Sequence, residues 1–176
     1  TDTGLRAIGN SPSAHKLEYL NLNRNRSISC NGFMFLAKKC LDKAKKEYDK
    51  NVSNVNMYKK SSTQHSESNE MDSFPNLKHL ELYGCKNIKS ESFTSIAKIF
   101  KKLEYIDCRG CTIGDISIAK LAFHLNKTLR TMKMGSSRSH KTRSSEEFSK
   151  VGNSGIFAII SLCKFLEVLV IQSCPS

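Results

Sequence analysis

Apolar and polar positions along this chain follow one recurring spacing. Leu77-Lys78-His79-Leu80-Glu81-Leu82-Tyr83-Gly84-Cys85 and Leu103-Glu104-Tyr105-Ile106-Asp107-Cys108-Arg109-Gly110-Cys111 share it: an apolar residue, two others, then apolar residues at alternate positions, closing on Gly-Cys. The two stretches start 26 residues apart, and Leu129-Arg130-Thr131-Met132-Lys133-Met134 starts 26 residues further on. Leu17-Glu18-Tyr19-Leu20-Asn21-Leu22 and Leu166-Glu167-Val168-Leu169-Val170-Ile171 make five copies, the last followed by Gln172-Ser173-Cys174. Such alternation predicts a short strand with one buried face. After the strand comes a second signal. Ile28 precedes Phe33 and Leu36, Ile88 precedes Phe93 and Ile96, and Ile113 precedes Ile118 and Leu121. The last two of each set are three apart, which places them on one helical face. Each repeat therefore reads as strand, tight turn and helix. Gly84 and Gly110 fall at the turn, where the backbone often needs a positive φ. Neither half of a repeat buries its apolar side alone, so neighbouring repeats must stack.

Two spacings are irregular, and insertions account for both. Leu17 to Leu77 spans 60 residues, an excess of 34 over the repeat; Leu129 to Leu166 spans 37, an excess of 11. The larger insertion, 41–73, starts on a Lys-rich stretch that prolongs the preceding helix, then becomes Ser/Asn-rich without periodicity and is expected to be disordered. The smaller, 135–145, carries Arg138, His140, Lys141 and Arg143 among serines, and Ser144 with Glu147 has capping-box spacing for the helix that follows.

Leu80-Glu81-Leu82-Tyr83-Gly84-Cys85, Ile106-Asp107-Cys108-Arg109-Gly110-Cys111 and Ala37-Lys38-Lys39-Cys40 resemble the cysteine-containing leucine-rich repeats of the F-box/LRR proteins and of the antagonist-of-mitotic-exit family. The opening Thr1-Asp2-Thr3-Gly4-Leu5-Arg6-Ala7-Ile8 is similar to the turn-and-helix half of such a repeat, so repeats start near 17, 77, 103, 129 and 166 after a partial repeat at 1–15. Asn25 and Ser137 depart from the pattern where a turn cysteine stands in the other copies. The expected fold is α/β: a right-handed leucine-rich-repeat solenoid, a horseshoe segment with parallel concave strands and convex helices over residues 1–176. Opening inside one repeat and stopping after the strand of another, the chain reads as a piece of a longer protein, or as one whose ends dock on partners.

Composition narrows the class. With 39% hydrophobic and 25% charged residues the 176-residue chain can bury a core as one domain. No apolar run approaches the roughly 18–20 residues of a membrane span, and the first residues lack a signal peptide's basic head and apolar stretch. Seven cysteines, an odd number in a chain too large to need staples, point to a reducing compartment, cytoplasmic or nuclear.

Reactive chemistry is hard to find in the pattern. Cys108 and Cys111 form a CxxC, but in repeat register Cys108 is an inward strand residue and Cys111 shares the turn position of Cys85 and Cys174. These three are expected to stack as a structural ladder with weak S–H bonds to turn carbonyls. His15, His65, His79, His124 and His140 are scattered, and no HExxH, Gly-x-Ser-x-Gly or P-loop motif occurs. No enzyme, metal or cofactor is expected.

The face opposite the apolar strand residues collects three columns: Tyr19, His79, Tyr105, Thr131 and Val168; Asn21, Glu81, Asp107, Lys133 and Val170; Asn23, Tyr83, Arg109, Gly135 and Gln172. Five parallel strands at about 4.8 Å spread them over about 19 Å, wide enough for a peptide or loop. Tyr and Arg anchor interfaces most often. Tyr19, His79, Glu81, Tyr83, Tyr105, Asp107, Arg109 and Lys133 are therefore the expected partner-binding residues. The net charge of +12 is spread over solvated helix faces such as Lys98, Lys101 and Lys102, without interleaved aromatics, so nucleic acid is not favoured. Arg138, Lys141 and Arg143 form the more suggestive basic cluster, whose serines would reverse its charge if phosphorylated. The resemblance implies substrate recognition for a Skp–cullin ubiquitin ligase, through an F-box upstream of these residues. The rival expectation is a scaffold subunit in a cytoskeletal or ribonucleoprotein assembly, its basic loops on acidic surfaces.

Overall fold

The computed structural model describes residues 1–36, 76–136 and 151–172. α1 (Asp2–Asn10) leads through a short 3-10 helix (Ala14–Lys16) to β1 (Tyr19–Asn21), and α2 is described over 30–36. There follow β2 (His79–Glu81), α3 (Ser90–Ile99), β3 (Tyr105–Asp107), α4 (Asp115–His124), β4 (Thr131–Gly135), α5 (Asn153–Leu162) and β5 (Val168–Gln172). The five strands form one parallel sheet in sequence order. This is a repeat-like α/β architecture, in which helices alternate with the strands of one all-parallel sheet.

The register is the one the 26-residue spacing demands. Leu20, Leu80, Ile106, Met132 and Leu169 pair across the sheet, and the two irregular spacings leave it unbroken. One carbonyl per repeat anchors each junction. Glu18 O accepts from the N–H groups of Lys78 and His79, Lys78 O from Glu104 and Tyr105, Glu104 O from Arg130 and Thr131, and Arg130 O from Glu167 and Val168.

Toward the helices, Leu77, Leu80, Leu82, Leu103, Ile106, Leu129 and Met132 are fully buried with Phe33, Phe93, Phe100, Ile96, Ile118 and Leu121. Each such side chain contributes about 1.5–3 kcal/mol by leaving water. Small residues let adjacent helices approach: a Cβ on Gly155 would lie 2.6 Å from Asp115 Oδ1. The same aspartate closes the next helix, because Asp115 Oδ1 accepts from Gly152 N at 2.7 Å, at an N-cap with no side chain of its own. Asp2, at the equivalent place in α1, accepts from Ser29 N and Ser29 Oγ at 2.8 and 2.7 Å. Such caps are worth about 1 kcal/mol each.

Turns repeat as faithfully as strands. Gly84 and Gly110 have φ of +73° and +79°, as their place after the strand predicted. Cys85 Sγ donates to Leu22 O at 2.9 Å, and Cys111 Sγ donates to Leu82 O, the same atom one repeat on, at 3.3 Å. These two thiols therefore hold the register the sequence assigned to the ladder, each facing the turn of the repeat before it; Cys174, the third member, lies outside the described residues. Cys163 is buried at the end of α5.

Candidate functional site

On the sheet face turned away from the helices, alternation alone places the side chains of β1, β2, β3 and β4 in columns. Tyr19, His79 and Tyr105 follow one another across three strands, with ring centroids 4.7 Å apart and tilted by 35° for the first pair, and 3.8 Å apart and nearly parallel for the second. Beside them Glu81 is a hub. Its Oε1 accepts from Tyr19 OH at 2.8 Å and lies 3.2 Å from His79 Nε2, while Oε2 accepts from Asn21 Nδ2 at 2.9 Å and from Asn23 Nδ2. Partial burial disfavours its charge, but the bonds from Tyr19, Asn23 and His79 prevail and hold the carboxyl below its usual range. The same bond to Glu81 raises the Tyr19 phenol.

One strand over, Asp107 is only 3% exposed and is engaged by Arg109. Asp107 Oδ1 accepts from Arg109 N at 3.1 Å and Arg109 Nε at 2.9 Å, and Oδ2 accepts from the second guanidinium nitrogen. Hydrogen bonding to this carboxylate pushes the arginine further up from its ordinary value. Arg109 also lies over the Tyr83 ring, 5.0 Å from its centroid, and Arg24 lies 5.8 Å from the same centroid. Lys133 sits 5.2 Å from the Tyr105 centroid. A depression of about 520 Å³ opens among these groups; Arg24, Tyr83, Tyr105 and Arg109 line it together with the carboxylates of Glu81 and Asp107 and the amides of Asn23 and Gln172.

The eight expected residues thus share one face. Tyr19, His79, Tyr83, Tyr105, Glu81, Arg109 and Lys133 stand at or beside the depression, where they can meet a partner. Asp107 takes its column position, but it is covered by Arg109 and acts as that arginine's counter-ion. Arg138, Lys141 and Arg143 lie outside the described residues. Arg24, Asn23 and Gln172 belong to the site and were not among the expected residues. Arg24 had a signal: it occupies the turn position that Gly84 and Gly110 fill, and has φ +58°. A long cation therefore stands where the backbone favours glycine.

The CxxC cysteines point to different carbonyls, Cys108 Sγ to Lys133 O at 3.1 Å and Cys111 Sγ to Leu82 O. Burial, and then the neighbouring Cys108 and Cys85, push the Cys111 thiol well above its ordinary range. Among the described residues no group of three or more His, Cys, Asp or Glu could hold a metal ion, and no helix is long and apolar enough to cross a membrane. No family model matches the chain.

Proposed function

We propose that the chain is a segment of a leucine-rich-repeat solenoid whose open sheet face is concave and serves as a protein-interaction surface. The observation that carries this reading is the Tyr19–His79–Tyr105 stack beside Tyr83 and Arg109, a partly exposed aromatic and arginine cluster on a sheet whose other face packs into the core. Aromatic and arginine side chains on a rigid support lose little entropy on binding and bury much area. With the resemblance to F-box/LRR proteins, the most specific form of the proposal is the substrate-recognition part of a Skp–cullin ubiquitin-ligase receptor.

The test is affinity purification of the full-length native protein beside its Tyr83→Ala/Tyr105→Ala variant. Skp and cullin subunits should accompany both, while a stoichiometric client should be lost from the variant alone. Retention of that client by the variant overturns the surface assignment. A net charge of +12 favours a second reading, a non-catalytic scaffold in a cytoskeletal or ribonucleoprotein assembly. A structural assembly without ligase subunits, captured in a steeply salt-dependent way, would select it.

A further inference from the structure

The charges of the open face are not balanced in the way their numbers suggest. Both carboxylates are committed internally: Glu81 to Tyr19, Asn21, Asn23 and His79, and Asp107, 3% exposed, to Arg109. The cations are less satisfied. Arg24 is exposed, and among the described residues it pairs with no carboxylate; its guanidinium rests on the Tyr83 ring. Arg109 approaches the same ring, and its charge is already matched by Asp107. Among the described residues its remaining nitrogen reaches only Gln172 Oε1, at 3.4 Å. Lys133 has the Tyr105 ring and, among the described residues, no carboxylate. An anion entering the depression gains charge-assisted bonds from the unpaired Arg24 guanidinium and from the outer nitrogen of Arg109.

We infer that the depression between Arg24, Tyr83 and Arg109 takes an anionic side chain from an extended acidic segment of a partner protein. This rests on the proposed role of the open face and names what that face selects. Carboxylate and phosphorylated side chains share the required chemistry, as in other arginine-cluster recognition. The backbone supplies an independent argument. Arg24 holds a left-handed conformation that costs an L-residue free energy and that Gly84 and Gly110 adopt without strain, so its side chain is retained against a local penalty.

The experiment measures fluorescence anisotropy of the full chain with three labelled short peptides: alternating Glu and Ala, the Gln and Ala counterpart, and a phosphoserine and Ala counterpart. The Glu peptide should bind at least about tenfold tighter than the Gln peptide, and a still tighter phosphoserine peptide would assign the site to phosphorylated partners. Arg24→Gly should weaken the Glu peptide by about tenfold while raising the thermal midpoint, since it relieves the turn. A residue with a merely structural role would move the two readouts together. Lys120→Gln, on α4, should change nothing. Equal affinity for Glu and Gln peptides, no binding of either, or an Arg24→Gly variant that binds normally overturns the anion site. If binding is indifferent to peptide charge yet lost in Tyr83→Ala, the open-face reading survives and only the anion assignment falls. If Lys120→Gln weakens binding as much as Arg24→Gly, general charge attraction replaces the site.

Discussion

Replacing Arg109 with methionine separates the arginine's packing from its charge. Methionine keeps an unbranched apolar stem of similar reach but leaves the Asp107 carboxylate, 3% exposed, with only the backbone N–H of residue 109 at 3.1 Å. Two charge-assisted bonds disappear, from Nε at 2.9 Å and from the second guanidinium nitrogen. Hydrogen bonds to charged groups contribute about 1.5–3 kcal/mol each, and the arginine side chain is 23% exposed, so water recovers part of the loss. The expected destabilisation is about 2–4 kcal/mol, a large share of the roughly 5–15 kcal/mol that holds a domain together. Urea unfolding followed by far-ultraviolet circular dichroism measures it; the midpoint should fall while the slope stays constant. Asp107→Asn/Arg109→Met removes the stranded charge as well and should recover at least half of the loss. A single variant within about 0.5 kcal/mol of wild type, or a double variant no better than the single, would mean that the carboxylate is solvated and that Arg109 does not hold it.

Gly135 and Gly84 both have positive φ, but their surroundings differ. A Cβ at Gly135 would lie 1.9 Å from Gln172 O, whereas at Gly84 the nearest atom is Arg24 Cγ at 3.5 Å. Gly135→Ala should cost more than about 3 kcal/mol by urea unfolding and Gly84→Ala about 1 kcal/mol, and equal losses would refute the close approach of β4 and β5. Glu81 titrates below the ordinary 4.5, so its network stabilises the fold fully above that value and ceases to do so as pH falls through the lower folded-state value. Glu81→Gln should therefore be less stable than wild type near neutrality and lose less on acidification; parallel acid limbs would contradict this. Burial raises the Cys163 thiol to about 11 and Cys111 well above its usual value, while Cys30 is partly exposed. Alkylation of the native chain with peptide mapping should modify Cys30 first among the described cysteines; equal rates at Cys111 would show that the turn thiols are not sealed.

Much of this molecule is written along the chain. The apolar spacing from Leu77 to Leu82, its return 26 residues later at Leu103, and the Gly-Cys closure at Gly84 and Gly110 specify strands, turns, helices and register, because each depends on residues close in sequence and on one repeated stacking step. The same periodicity puts Tyr19, His79 and Tyr105 on one face. It could not say which of those side chains would be free. Glu81 and Asp107 occupy equivalent positions, yet one is a partly exposed hub and the other is sealed, since Arg109 folds back over Asp107 while Tyr83, at the matching position beside Glu81, carries no charge to do so. Nor does spacing reveal that Arg24 and Arg109 both rest against one tyrosine. That arrangement draws on three repeats across the long interval between Leu17 and Leu77, and on a left-handed backbone at Arg24. Periodicity is local and survives in one dimension; the pairing of charges is decided only when the repeats are stacked, because a charge is satisfied by whatever lies nearest in space.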